Sequence, residues 1–137
     1  MGFFDGASQS GRGKCGVGAV LKCREGDVFS IKMNCGMGTN TRGELLALWI
    51  LLYLALHKQV YSLQLVGDSK VIVDWFSYKN KLQVISLQPW MTRICQMSGR
   101  FQNIKIQHIY REFNREANQL SKHTLLMEEG ILFLPKE

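Results

Sequence analysis

The chain has 137 residues, 46% hydrophobic and 20% charged, the size and make-up of one compact domain with a real core, which excludes a disordered or low-complexity chain. A formal net charge of +6 suits a polyanionic partner without requiring one. Four cysteines without a C-x-x-C pair argue against a zinc site and fit a reducing, intracellular protein, and the longest apolar stretch, residues 45–56, is too short for a membrane span.

Residues 2–5 read as the end of a strand, and residues 8–13, rich in Gly and Ser, as a loop. Residues 16–24 and 28–36 read as two more strands, joined by a turn at Glu25-Gly26-Asp27. The spacing then predicts a helix over 41–58, apolar on nearly every face and therefore buried. A strand over 62–67 and a helix over 69–78 follow. A loop carrying Lys79 and Lys81 leads to a third helix beginning near Pro89, a residue suited to a helix's first turn. Residues 103–111 alternate Ile104 and Ile106 with Lys105 and Gln107, the period of a strand. A last helix is expected over 115–128, then a short, partly apolar tail. The three tryptophans, Trp49, Trp75 and Trp90, are expected in the core. This order predicts an α/β domain, a mixed sheet with helices on its faces, whose sites form at strand ends.

Four polar positions stand where strands end or helices begin. Singly, each has an innocent reading. Asp5-Gly6 is a turn dipeptide. Glu44 stands three residues after Thr41, the spacing of a capping box. Asp68-Ser69 is an expected N-cap, and Asn118 could face water. Together they suggest a cluster. Converging carboxylates repel unless cations lie between them, and hard oxygen ligands beside a polyanion suit Mg²⁺.

The segments FFDGASQSGRGKCGVGAVL, TNTRGELLAL, LVGDSK and REFNREANQLSK resemble, in order, the four motif regions of type 1 ribonuclease H. The match spans almost the whole chain, and the flavour is that of the RNase H-like domain of plant retroelement-type reverse transcriptases. The resemblance implies one ribonuclease H-like domain over residues 1–137, with a five-stranded mixed sheet of order 3-2-1-4-5 flanked by helices. It implies metal-dependent endonuclease cleavage of the RNA strand of RNA/DNA hybrids, with two Mg²⁺ ions, Mn²⁺ being an acceptable substitute. Asp5, Glu44 and Asp68 match three of the family's four metal-binding acids, and the fourth falls at Asn118. An amide there offers an oxygen but no charge, so a slowed enzyme is expected; the alternative is a nucleic-acid-binding module of the same fold with little or no catalysis. A DNA-acting relative such as a transposase fits TNTRGE less well.

On the substrate side, Gly6, Ala7 and Ser8 resemble the loop that approaches the RNA strand. Asn40 and Thr41 match the polar pair that reads sugars and base edges in the minor groove, where the 2′-hydroxyl marks RNA, although Asn40 could also cap the helix. Lys70 falls where the family often has Gln. Two family features are missing from the motif pattern. The loop after the fifth strand reads Tyr110-Arg111-Glu112-Phe113 instead of carrying a mobile His, and residues 79–88 leave little room for an inserted basic helix. The expected partner is a hybrid duplex, with no membrane, and the expected form is a monomeric domain, either standing alone or part of a longer polyprotein.

Overall fold

The computed structural model describes residues 1–9, 14–77, 85–115, 117, 119 and 130–136. Strands β1 (Gly2–Gln9), β2 (Lys14–Lys22) and β3 (Val28–Met37) form an antiparallel meander. The β2–β3 turn bends at Gly26, whose φ of 94° favours a residue without Cβ. Helix α1 (Asn40–His57) crosses back over the sheet to β4 (Ser62–Gly67), which lies parallel to β1. Helices α2 (Lys70–Phe76) and α3 (Gln88–Ser98, with Pro89 in its first turn) lead to β5 (Asn103–His108), parallel to β4.

These five strands take the expected 3-2-1-4-5 order. A sixth, β6 (Gly130–Lys136), pairs antiparallel with β3 and extends the sheet to β5-β4-β1-β2-β3-β6. The sequence by itself predicts no strand in that tail, because seven residues show no clear alternation until a neighbour supplies the ladder. Of the last helix, Arg115, Ala117 and Gln119 are helical; Asn118, Lys79 and Lys81 lie outside the described residues.

The core is made by α1 against the sheet. Leu45, Leu48, Leu51, Leu52 and Ala55 are buried with Phe4, Val17, Ala19, Leu21 and Leu65. The helix is not buried all round, as its composition suggested. Tyr53 is 51% exposed, and an outward stripe stacks Trp49 on Tyr53 (5.8 Å) and Tyr53 on His57 (6.3 Å). Trp49 also meets Trp90 of α3 edge to face at 5.5 Å. Trp75 is buried, whereas Trp49 and Trp90 are half-buried at the margin of the core. Aromatic side chains count as apolar in a periodicity, but they can cover a core and still face water.

Three expected boundaries move. The N-cap of α1 is Thr39, whose Oγ1 accepts from the Arg42 amide at 3.2 Å. Asn40 and Thr41 are therefore helical residues, and neither the Asn40 cap nor the Thr41–Glu44 capping box forms. Asp5-Gly6 is no turn, since β1 runs on to Gln9 and pairs Asp5 with Gly18 and Gly6 with Val17. Ser8 and Gln9 are strand rather than loop.

Close approach of β1 and α1 depends on Gly6. A Cβ there would sit 2.3 Å from the Gly43 carbonyl carbon and 2.4 Å from the Glu44 nitrogen, both backbone atoms that cannot swing aside. Gly6→Ala should cost about 1–3 kcal/mol by forcing the two elements apart. Gly99→Ala, where the nearest atom to a new Cβ is 3.5 Å away, should stay within about 1 kcal/mol of the parent. Urea denaturation of both variants checks this, and equal midpoints would show that the close approach carries no constraint.

Candidate metal centre

The site lies where the sheet divides. β4 pairs with β1 only as far as Phe4↔Gly67, and the chain then leaves the sheet at Asp68 to enter α2, while β1 continues paired to β2. Parting strands of this kind leave a crevice at their carboxyl ends. Gly67 permits the junction, because a Cβ there would meet the Phe4 ring at 2.5 Å.

Three carboxylates converge on this crevice. Asp5 comes from β1, Glu44 from the second turn of α1 and Asp68 from the end of β4, and one ligand oxygen of each lies within 4.8 Å of the others. Asp5 is 0% and Glu44 6% exposed, while Asp68 is half-buried. Carboxylates this close and this dry are unfavourable when all are ionised. Burial, then the hydrogen bond with Asp5 and the charges of Asp5 and Asp68, push Glu44 well above the usual carboxylate range, against the Gly6 amide that donates to it. Asp68 is pushed up to about 6, first by burial and then by the charge of Asp5; the Asn114 amide and the Arg111 charge pull the other way.

Two residues of this neighbourhood were not singled out from the sequence. Asn114 is 2% exposed, and its Nδ2 donates to the Phe4 carbonyl at 2.9 Å and to Asp68 Oδ2 at 3.4 Å. It ties the end of the β1–β4 pairing to the acid of β4 across more than a hundred residues of chain. The signal available was its place four residues before Asn118, but an Asn beside a short turn reads as turn chemistry. Arg111 acts on Asp68 through its charge. His108 places Nε2 3.2 Å from the Asp68 carbonyl oxygen.

Of the expected site residues, Asp5, Glu44 and Asp68 are brought together. Asn118 lies outside the described residues. Gly6 touches α1, Ala7 and Ser8 continue β1 opposite Gly16 and Cys15, Asn40 and Thr41 begin α1 one turn before Glu44, and Lys70 begins α2 two residues after Asp68. The thiols of Cys15, Cys23 and Cys95 form no disulfide. Among the described residues, no helix is long and apolar enough to cross a membrane.

All-oxygen ligation by aspartate and glutamate fits a hard divalent cation. Glu44 Oε2 and Asn114 Oδ1 are buried and accept no hydrogen bond among the described residues, so the cradle has acceptors to spare. The elevated acids give the metal-free domain a signed pH dependence. The folded state holds protons on Asp68 and Glu44 that the unfolded chain has already released, so stability is highest at low pH and is lost as pH rises through about 6. In EDTA, the melting temperature should therefore fall between about pH 5 and pH 7. Asp68→Asn should flatten that fall, and Mg²⁺ at neutral pH should offset it. A flat profile in the parent would count against close approach of the three acids.

A family model described as reverse transcriptase-like matches residues 3–124. Over 132 residues, 92% of the chain, the sequence is 30% identical to an Arabidopsis thaliana protein named "Putative ribonuclease H protein". The chain spans only 20% of that curated relative. Among solved structures, RNase H1 of the halophilic archaeon Halobacterium salinarum superposes with a TM-score of 0.85 at 26% identity, covering 90% of this chain and 95% of that one. The N-terminal RNase H domain of a Mycobacterium tuberculosis protein gives 0.82 at 23%, covering 89% and 96%. LC11-RNase H1, solved in complex with an RNA/DNA hybrid, gives 0.80 at 23%, covering 89% and 93%; at that identity the last two likenesses speak for the fold. With the model match running nearly end to end and the sheet order agreeing, the chain belongs to the reverse transcriptase-like family and has the ribonuclease H fold.

Proposed function

We propose that this domain is a divalent-metal-dependent endonuclease that cleaves the RNA strand of RNA/DNA hybrids, slowed by the amide at Asn118. The observation that carries the reading is the convergence of Asp5, Glu44 and Asp68, with ligand atoms within 4.8 Å of one another, at the point where β1 and β4 part. The name of the Arabidopsis relative and the hybrid in the LC11 complex support the activity and the substrate.

Asp5, Glu44 and Asp68 would hold the cations, with Asn118 at the fourth position of the family's motif. Two Mg²⁺ or Mn²⁺ ions there supply a water nucleophile at lowered pKa and charge neutralisation at the scissile phosphate. The protein's own part is positioning. Asp5 is fixed within β1 by its pairing with β2, and Asn114 sets the Asp68 carboxylate against the Phe4 carbonyl. Gly6 lets Glu44 come close. Asn40 and Thr41, at the start of α1, face the minor groove and read the 2′-hydroxyl, and Ala7, Ser8 and Lys70 lie along the approach of the sugar-phosphate backbone. The +6 charge supplies the sequence-independent attraction to phosphate. The domain acts as a monomeric, intracellular unit, and the match to a reverse transcriptase-like family model supports a place within a longer polyprotein.

Asn118 also favours the second reading, a nucleic-acid-binding module with little catalysis, because three carboxylates bring less charge to two cations than four do. A time course on an RNA-labelled hybrid, across Mg²⁺ and Mn²⁺ concentrations, separates the two. Asn118→Asp should accelerate cleavage on the order of a hundredfold and lower the metal concentration required. Asp68→Asn should remove measurable cleavage while leaving the fold. If Asn118→Asp brings no gain and the parent is inert, the binding module is the correct reading; a fully active parent would show that the missing charge is unimportant.

A further inference from the structure

Asn114 brings a buried amide into contact with the metal centre and leaves half of it unused. Its Nδ2 donates to the Phe4 carbonyl at 2.9 Å and to Asp68 Oδ2 at 3.4 Å. Two acceptors beside one atom fix which end of the amide is nitrogen, since an oxygen there would face two other oxygens. The place of Oδ1 follows. It is buried and accepts no hydrogen bond among the described residues. A buried acceptor without a donor costs about 1–3 kcal/mol, so native structures rarely keep one without a use. The ordinary use of an asparagine at this point is to cap the helix in which Arg115 and Ala117 stand. Among the described residues, no amide of that helix donates to Oδ1.

The distance to the acids is bounded by the amide itself. Its oxygen and nitrogen lie about 2.3 Å apart, so Oδ1 stands within about 6 Å of Asp68 Oδ2. A Mg²⁺ ion sits about 2.1 Å from a ligating carboxylate oxygen and keeps several waters. A water on the ion extends its reach by one more hydrogen bond, about 2.8 Å. The hydration shell of an ion on Asp68 therefore covers the range in which Oδ1 lies. Glu44 Oε2, in the same cluster, is a second buried oxygen that accepts no hydrogen bond among the described residues. The Nδ2 contact meanwhile draws Asp68 toward its ionised, ligating form.

We propose that Asn114 is a positioning residue of the metal centre, whose Oδ1 accepts a hydrogen bond from a water on the cation while its Nδ2 holds Asp68. This rests on the reading of Asp5, Glu44 and Asp68 as metal ligands. One side chain then sets both a ligand and a water of the same ion. An amide suits the task because it donates and accepts at once. A carboxylate in its place would lose the donor and add to the repulsion among the acids.

The test is calorimetric titration of the purified chain with Mn²⁺, beside thermal melts in EDTA and in saturating Mn²⁺. Losing a group that orients a ligating carboxylate weakens metal binding by about 10–100-fold, and Asn114→Ala should fall in that range. Its melt should drop in EDTA, where the bond to Phe4 is lost, and Mn²⁺ should raise it by less than it raises the parent. Asn114→Ser can still cap a helix but is one bond shorter. It should weaken Mn²⁺ binding alike, and it keeps the test open if the alanine variant does not fold. Water-proton relaxation by bound Mn²⁺ reads the part given to Oδ1. A water held by Oδ1 exchanges slowly, so relaxation per bound ion should rise in both variants. An asparagine that only braces the fold would lower the EDTA melt and leave Mn²⁺ affinity unchanged, and that result overturns the proposal. Weaker affinity with unchanged relaxation overturns the part given to Oδ1. Absence of Mn²⁺ binding in the parent overturns the metal-centre reading as well, whereas equal, measurable affinity in parent and variants overturns only the part given to Asn114.

Discussion

Leu45, Leu48, Leu51, Leu52 and Ala55 leave water against the inner face of the sheet, and this burial holds Glu44 against Asp5. The two effects are of unequal size. Full burial of a leucine is worth about 1.5–3 kcal/mol, and α1 buries several. Two ionised carboxylates about 4–5 Å apart repel by roughly 3–4 kcal/mol at an effective dielectric of about 20. The core wins, so the acids stay together and the cost appears as protons retained on Glu44 and Asp68 rather than as a displaced helix.

The same contact explains why glycine recurs around the centre. Gly6 and Gly67 stand where one element crosses another at close range: α1 over β1 at Gly6, and the Phe4 ring over β4 at Gly67. Each glycine removes a side chain beside a carboxylate that must come near its neighbours. Asn114 completes the frame from the far end of the chain by bonding both β1 and Asp68. A buried amide does this without adding charge to a place already crowded with it, and its carbonyl oxygen remains available inside the cradle.

As an electrostatic device, the centre has several ways to settle its repulsion. Protons can occupy the acids, divalent cations can bind between them, or a fixed cation can stand nearby.

Much of this was legible in the sequence. Local pattern located β4, Pro89 marked the start of α3, the order of elements predicted a mixed sheet with helices on its faces, and the resemblance of the motifs pointed to Asp5, Glu44 and Asp68 and implied the order of the first five strands. These features are local or are carried by residue type, so a linear reading reaches them. Tertiary structure alone decided the rest. It turned Asp5-Gly6 from a turn into mid-strand, because β2 offers β1 partners as far as Gln9. It moved the cap of α1 to Thr39, and it gave β6 its place by supplying β3 as a neighbour. It also brought Asn114 to Asp68. Strand pairing and buried hydrogen bonds join residues that are distant along the chain, and nothing in the local composition of either partner records which other residue it will meet.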